Sequence, residues 1–332
     1  MKAMILEKTK PVEEDPLVLV DLPERPPGPG EVKIKIRTCG VCHTDLHTVE
    51  GDLPIPKLPI VPGHEIVGTI EETGVGSRRF KKGERVGVAW LYSSCGRCKF
   101  CVAGLENLCE KAEFTGLHAN GGYEEHMIAK EDYVYSIPKN FSDEHAAPLL
   151  CAGVIGYRSF RLSEVKPGQT LALFGFGASA HIVIQIATSI GCDVYAFTRS
   201  EKHRELARRL GSKWEGDIHD VPPSKFDSAI VFAPAGWIVK EALRGLEKAG
   251  TLVVNAIYMS PIPELSYDLL WHEKKVRSVA NVTREDAIRL LKIAGDIPIK
   301  TKVKVFPLEE ANLSLKMMKR SEIEGAAVLK IS

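Results

Sequence analysis

Two patterns of apolar and polar positions divide the chain. Through about residue 150, short apolar stretches such as residues 31–37 (EVKIKIR) and 85–89 (RVGVA) are separated by segments rich in Gly and Pro. Short runs bounded by turn residues are typical of an irregular, mostly β domain. From Pro167 onward the apolar segments are longer and alternate between strand-like and helix-like patterns.

The second pattern predicts a series of strand–helix units. Strands are expected at residues 170–174, 193–198, 227–232 and 251–257, with helices through Ile182 and Ile190, over 201–210 and over 239–246. This alternation indicates an α/β fold with a doubly wound parallel sheet covered on both faces. A further helix after about residue 286 and strands at 302–306 and 327–331 form a tail too short to fold alone. We therefore predict a first domain from residues 1–151 and 286–332, and a second from 152–285.

Composition restricts the class of protein. The chain has 332 residues, 44% of them hydrophobic and 26% charged, with a formal net charge of +1. Such a balance gives no electrostatic reason to expect nucleic acid or a membrane surface as partner. No apolar run approaches the ~18 residues of a membrane helix, and the N-terminus reaches acidic residues early, so we expect a cytoplasmic protein. Thiols stay reduced there, which favours metal ligation over disulfides for the eight cysteines.

Four cysteines lie in one short segment. Cys95, Cys98, Cys101 and Cys109 have the spacing C-x2-C-x2-C-x7-C. The first three resemble the start of a ferredoxin motif, but the fourth cysteine is too distant and no Pro follows it. Four thiolates close a tetrahedral shell on Zn²⁺, which predicts a structural zinc site.

A second group is scattered along the chain. Cys42, His64 and Cys151 meet only if the chain folds them together. Cys39 and Cys42 alone could form a thioredoxin-type redox pair, but His64 and Cys151 favour a metal. Three protein ligands leave a fourth position open for water or substrate, as in catalytic zinc sites. Two thiolates neutralise Zn²⁺ and leave it a Lewis acid for a neutral alcohol or aldehyde.

A glycine turn between the strand at 170–174 and the following helix predicts a dinucleotide site. Gly175, Gly177, Ala178 and Ala180 lie at the positions of a G-x-G-x-x-G/A turn, which brings the backbone against a pyrophosphate. The next predicted strand ends in Thr198-Arg199, without the acid that contacts ribose hydroxyls in NAD sites. Thr198 and Arg199 instead suit a 2′-phosphate, which favours NADP(H) and leaves NAD(H) open.

Together these motifs resemble the zinc-dependent alcohol dehydrogenases of the medium-chain dehydrogenase/reductase family. The resemblance runs nearly end to end, through residues 40–47, 63–65, 83–86 and 151–153, the four-cysteine segment and the glycine turn. It implies a GroES-like catalytic domain, a Rossmann domain inserted into it, and a homo-oligomer, either a dimer or a tetramer. The implied activity is hydride transfer between NADP(H) or NAD(H) and a small alcohol, aldehyde or ketone.

The resemblance also assigns residue roles. It makes Cys42, His64 and Cys151 the catalytic zinc ligands and Glu65 a neighbouring or alternative ligand. Thr44 and His47 match the proton relay, and His43 a position facing the pyrophosphate. Trp90 and Leu91 are expected to line the substrate pocket together with Thr44, although ordinary core packing explains an aromatic residue equally well. A polyol- or threonine-type zinc dehydrogenase and a non-enzymatic dinucleotide sensor remain the alternatives.

Overall fold

The computed structural model describes residues 1–256 and 258–332, which form two compact units. The first unit contains Met1–Cys151, Asn281–Asp296 and Lys300–Ser332, and the second contains Ala152–Ala280 and Ile297–Ile299. The chain thus leaves the first unit at Cys151 and returns to it at Asn281. Among the described residues, no helix is both long and apolar enough to cross a membrane.

Strands and helices follow the two patterns of the sequence. The strands of the first 151 residues are β1 (Lys2–Leu6), β2 (Leu17–Asp21), β3 (Glu31–Val41), β4 (Glu65–Thr73), β5 (Arg85–Val88), β6 (Leu91–Ser93), β7 (Glu113–Phe114), β8 (His126–Lys130) and β9 (Val134–Ser136). The second unit contributes β10 (Thr170–Phe174), β11 (Asp193–Phe197), β12 (Trp214–Gly216), β13 (Phe226–Val231), β14 (Leu246–Val254) and β15 (Lys275–Ser278), and the returning chain adds β16 (Val303–Pro307) and β17 (Ala326–Lys330).

The α-helices are α1 (His43–Glu50), α2 (Lys99–Val102), α3 (Asp143–Ala146), α4 (Ala152–Leu162), α5 (Ala178–Ser189), α6 (Glu201–Arg209), α7 (Trp237–Gly245), α8 (Arg284–Asp296) and α9 (Ala311–Lys319). Short 3₁₀ segments lie at Val12–Glu14, Glu106–Leu108, Glu131–Tyr133, Ala147–Leu150, Tyr267–Leu269 and Leu308–Glu310.

The first unit is built on a mixed sheet with the strand order β16-β17-β3-β4-β5-β9, and β8 also pairs with β3. Strand β3 is antiparallel to β4, β8 and β17, whereas β16 and β17 are parallel. Its core is aliphatic, with Ile34, Ile36, Ile66 and Val86 fully buried. In the β3–β4 register Gly40 is opposite Glu65, so the end of β3 lies beside the start of β4. This register positions the site described below.

The second unit contains a six-stranded parallel sheet with the order β12-β11-β10-β13-β14-β15. Numbered from its first strand, this is the 3-2-1-4-5-6 order of the Rossmann fold. Alternate residues of β10 enter different cores. Leu171 and Leu173 pack in one cluster, while Ala172 and Phe174 pack in the other. Apolar layers therefore cover both faces of the sheet, as the continuous apolar strands predict.

Several element boundaries differ from the sequence prediction, most clearly between residues 237 and 257. The helix expected over 239–246 runs from Trp237 to Gly245, and β14 begins directly at Leu246 rather than at residue 251. Strand β14 then ends at Val254 rather than at residue 257, and residue 257 lies outside the described residues. Strand β15 was not predicted, because all of its residues are exposed and no apolar pattern marks it.

Candidate active site

Three segments of the first unit bring the scattered cysteine and histidine residues together. Cys42 follows β3 and caps the N-terminus of α1, and His64 immediately precedes β4. Cys151 follows the buried 3₁₀ segment Ala147–Leu150. The ligand atoms of Cys42, His64, Glu65 and Cys151 all lie within 4.8 Å of one another. The pairing of β3 with β4 thus joins ligands that are distant in sequence.

The distances in this cluster suit a tetrahedral metal. Cys42 Sγ lies 3.2 Å from His64 Nε2 and 3.9 Å from Cys151 Sγ. Ligands on tetrahedral Zn²⁺, with bonds of about 2.0–2.3 Å, lie about 3.6–3.8 Å apart. The three side chains therefore fit the metal with little rearrangement.

Charge in the cluster is concentrated on Cys42. The pKa of its thiol lies well below the usual range, because the Cys151 thiol donates a hydrogen bond to it and the His64 imidazole lies beside it. The same hydrogen bond raises the pKa of Cys151 well above its usual value. The backbone N–H of Thr44 also donates to Cys42 Sγ at 3.3 Å. One thiolate is therefore already favoured before a metal binds.

Glu65 offers the clearest sign of a cation at this site. Its side chain is buried, and its Oε2 atom has no hydrogen-bond partner among the described residues. Burial raises the pKa of Glu65 well above its usual value. Gly40, opposite on β3, leaves the space that this carboxylate occupies, since a Cβ there would collide with it. A buried carboxyl with an unsatisfied oxygen is costly unless a cation compensates it.

Asp45 orients the imidazole, and the sequence analysis did not include it. Its Oδ1 atom lies 3.2 Å from His64 Nδ1 and accepts a hydrogen bond from the Gly63 amide at 3.1 Å. Its Oδ2 atom accepts from the Cys42 amide at 2.9 Å. Metal-binding histidines usually contact a carboxylate through the second ring nitrogen. The sequence signal was an acid three residues after the capping Cys42, at the capping-box position.

The predicted relay residues lie on α1. Thr44 is buried in the first turn, and His47 follows it by one turn on the same helix. His47 Nδ1 lies 2.8 Å from Asp52 Oδ2, which holds the ring in one orientation. His43, by contrast, has an exposed side chain. On α1, the Thr44 side chain is therefore buried, whereas the imidazoles of His43 and His47 are more accessible to solvent.

Trp90 stands beside the cluster, whereas Leu91 is part of the core. The Trp90 and His64 rings have their centroids 4.8 Å apart and lie nearly perpendicular, with an interplanar angle of 71°. Trp90 also stacks on Phe114 at 5.1 Å. Leu91 is 1% exposed, and no described contact joins it to the ligands. Of the two residues predicted to line the substrate pocket, Trp90 is therefore the one that contacts a predicted metal ligand, His64.

The four cysteines of the short segment form a second cluster. The sulfur atoms of Cys95, Cys98, Cys101 and Cys109 all lie within 4.8 Å of one another, with Cys98 and Cys101 at 3.5 Å. Backbone N–H groups of Arg97 and Cys98 lower the pKa of Cys95 to about 6. Four thiols so arranged can fill a tetrahedral zinc site without an open position.

The glycine turn has the geometry of a phosphate site. Gly175 has a φ of 90°, which favours glycine, and a Cβ there would press on the Ala233 amide at 3.0 Å. Nothing lies within 4 Å of where a Cβ of Gly177 would be, and no side chain caps the N-terminus of α5. Ala178 starts the helix, and Ala180 is fully buried against the sheet. Uncapped N–H groups at such a helix end bind phosphate.

The end of β11 carries the predicted phosphate readers. Thr198 is buried, and its hydroxyl accepts a hydrogen bond from the Ser200 amide at 3.5 Å. Arg199 has an exposed side chain. A second cation, Arg204, is held by the Thr198 carbonyl at 2.9 Å and lies 3.6 Å from Asp217.

Comparison with known proteins agrees with this geometry. Residues 28–139 match the alcohol dehydrogenase GroES-like domain family, and residues 180–296 match the zinc-binding dehydrogenase family. The probable alcohol dehydrogenase AdhA of Mycobacterium tuberculosis is 41% identical over all of this chain and 97% of its own length. The chain belongs to the zinc-dependent alcohol dehydrogenases. This confirms the predicted medium-chain family, the GroES-like and Rossmann fold class, and an enzyme that uses zinc and a nicotinamide cofactor.

Solved structures support the same fold for the enzyme and differ in their cofactor. The acetophenone reductase of Geotrichum candidum, in complex with NAD, superposes with a TM-score of 0.88 at 26% identity and covers 99% of this chain and 96% of that one. The CAD protein of Helicobacter pylori, complexed with NADP(H), superposes with a TM-score of 0.87 at 26% identity, covering 99% of both. The choice between NAD and NADP therefore does not follow from the fold.

Proposed function

We propose that this enzyme reduces small aldehydes and ketones with NADPH, and oxidises the matching alcohols, at a zinc ion held by Cys42, His64 and Cys151. The observation that carries the proposal is the convergence of these three ligands beside a buried Glu65 side chain whose Oε2 atom has no described hydrogen-bond partner. When bound, zinc would act as a Lewis acid that polarises a carbonyl oxygen and lowers the pKa of a hydroxyl.

The chain itself supplies the remaining chemistry. Asp45 orients the His64 ring, and the Thr44 amide supports the charge on Cys42 Sγ. During oxidation the Thr44 hydroxyl oxygen accepts the proton of the alcohol while its own proton moves on toward His47. Asp52 orients that imidazole, since its Oδ2 atom lies 2.8 Å from Nδ1. Reduction reverses these transfers, so the same two side chains return the proton to the substrate oxygen.

Glu65 would stabilise a cation at this site. A carboxyl oxygen of Glu65 lies within 4.8 Å of the other ligand atoms, and its buried Oε2 atom has no described hydrogen-bond partner. A carboxylate at that distance would attract the ion electrostatically, or would serve as an alternative ligand.

The cofactor is NADP(H). Its pyrophosphate would contact Gly175, Gly177, Ala178 and Ala180 at the start of α5. The 2′-phosphate would be bound by the buried hydroxyl of Thr198 and by the guanidinium of Arg199, which is exposed and free to turn toward it. An Arg and a hydroxyl at this strand end suit a dianion better than a neutral ribose.

A second zinc ion occupies the four-cysteine cluster and has a structural role. The cysteines lie in a segment whose helix α2 buries none of its residues, so apolar packing contributes little to its stability. Metal binding would supply that folding free energy instead.

The enzyme forms a homodimer through the open edge of the second unit's sheet. Among the described residues β15 pairs with β14 alone, and all four residues of β15 are exposed. Trp271, four residues earlier, has 55% of its surface exposed. An unprotected edge beside an exposed aromatic residue is suited to pairing with a second copy. Replacing Val276 by Pro should convert the dimer to a monomer in light scattering, and an unchanged mass would exclude this interface.

Initial rates with a panel of aliphatic and aromatic aldehydes test the central proposal. Zinc-replete enzyme is given NADPH or NADH at equal concentrations, and oxidation of the cofactor is followed by absorbance. We expect turnover with a kcat/KM for NADPH above that for NADH. Oxidation of neither cofactor by any aldehyde would contradict the proposed reaction, and a preference for NADH would contradict the roles of Thr198 and Arg199.

A further inference from the structure

The indole of Trp90 is held from three sides. Its ring stacks on Phe114 at 5.1 Å with an interplanar angle of 17°, and it meets His64 edge-on at 4.8 Å. Its Nε1–H group donates a hydrogen bond to Asn281 Oδ1 at 3.1 Å. The side chain is only 8% exposed. A buried indole N–H requires such a partner, so the bond to Asn281 determines which way the ring faces.

Asn281 has a backbone conformation that few residues adopt. Its φ is 55°, in the left-handed region where Gly, Asn and Asp are tolerated best. It is also the residue at which the chain re-enters the first unit. The side-chain amide of Asn281 therefore contacts Trp90 from a turn with a restricted backbone conformation.

The turn is anchored directly after Asn281. The Thr283 hydroxyl and amide donate to Asp286 at 2.7 and 3.0 Å, which caps the start of α8. The amide and the Nε group of Arg284 donate to the buried Glu106 at 3.0 and 3.1 Å. Glu106 lies three residues before Cys109 of the four-cysteine cluster. The four-cysteine segment thus fixes the position from which Asn281 reaches Trp90.

We propose that Asn281 is a positioning residue, which holds the Trp90 indole as one wall of the substrate site. Among the small carbonyl compounds of the proposed function, this wall favours aromatic aldehydes over short aliphatic ones. The inference rests on the proposed function, because it takes the His64 cluster as the place where the carbonyl binds. An aromatic substrate needs a fixed apolar surface beyond the reacting carbon, whereas acetaldehyde is too short to use one. Pre-organising that surface improves binding of the larger substrate alone.

Two substitutions at Asn281 separate the side chain from the backbone. Asn281→Gly tolerates the positive φ but removes the oxygen that accepts the hydrogen bond from Trp90. Asn281→Asp also tolerates the positive φ and keeps such an oxygen. We expect Asn281→Gly to lower kcat/KM for benzaldehyde about five- to tenfold, mainly through KM, and to leave acetaldehyde within about twofold. Asn281→Asp should restore the wild-type ratio of the two substrates.

Tryptophan emission tests the contact without turnover. In an enzyme that contains Trp90, Asn281→Gly should shift the wavelength of maximum tryptophan emission. In an enzyme that carries Trp90→Phe, the same substitution should leave the emission unchanged, since the other tryptophans lie elsewhere. Trp90→Phe alone should reproduce the selective loss with benzaldehyde, so the test stands even if Asn281→Gly fails to fold. Zinc content and melting temperature of each variant control for damage to the metal sites.

The outcomes are distinct. If Asn281→Gly changes neither the kinetics nor the tryptophan emission, the inference is overturned. An equal loss of kcat/KM with both aldehydes, accompanied by a lower zinc content, would overturn it as well. If the wild type reduces neither aldehyde, the proposed function fails. In that case an emission change confined to the Trp90-containing background would still support the positioning contact, and no change would refute it.

Discussion

Glu124 should make the enzyme less stable as the pH rises, and Glu124→Gln should remove this effect. Its side chain is 2% exposed, and its Oε2 atom has no described hydrogen-bond partner. Burial raises the pKa of Glu124 to about 8, against an opposing effect of Arg25. The folded protein therefore keeps this proton at neutral pH, while the unfolded chain releases it at its ordinary pKa of 4.5.

The sign and size follow from proton linkage. The folded state binds more protons between pH 4.5 and 8, so the free energy of unfolding falls as the pH rises through this window. Each pKa unit corresponds to about 1.4 kcal/mol, which gives a loss on the order of 3 kcal/mol between pH 5 and pH 8. For a domain of about 200 residues, that loss corresponds to roughly 6–12 °C in melting temperature.

The assay compares melting temperatures of wild type, Glu124→Gln and Glu72→Gln at pH values from 5 to 8 with excess zinc. Glu72 is an exposed residue of β4 and serves as the matched control. The advantage of Glu124→Gln over wild type should grow steadily with pH, while Glu72→Gln follows wild type. Parallel curves for Glu124→Gln and wild type would refute the reasoning, because the buried carboxyl would then carry no pH-dependent cost.

Two further substitutions test the second metal site and the cofactor. Cys101→Ser should lower the melting temperature by several degrees and retain turnover at 25 °C, because one of four structural thiolates is lost; an unchanged melting temperature would contradict a structural metal. Arg199→Ala should raise KM for NADPH about tenfold or more and change KM for NADH less than about twofold, because a charge-assisted bond to the 2′-phosphate is lost. Equal changes with both cofactors would show that Arg199 does not contact the phosphate.

Local motifs made much of the fold predictable. The strand β10, the turn at Gly175 and the helix α5 follow one another without interruption, so the sequence pattern contains the whole dinucleotide motif. The four-cysteine segment is equally local. Prediction was weaker for an element that depends on a partner distant in sequence. Strand β15 is an exposed strand that forms by pairing with β14, and no apolar pattern in its own residues marks it.

The candidate site was predicted by residue type rather than by geometry. Cysteine and histidine indicated a metal, but only the register of Gly40 opposite Glu65 explains why Cys42 and His64 meet. Asp45 and Asn281 were missed for a related reason. Each acts through a hydrogen bond to a residue distant in sequence, and short polar side chains in turns are common without such a role.

Zinc content measured together with turnover tests the account most directly. Wild-type enzyme should contain about two zinc ions per chain, and Cys42→Ser should retain about one, with an unchanged fold and a turnover reduced at least about 100-fold. Cys101→Ser serves as the control that affects only the other cluster. If Cys42→Ser reduces aldehydes at a near-normal rate, or loses no zinc, then Cys42, His64 and Cys151 do not hold the metal at which the reaction occurs.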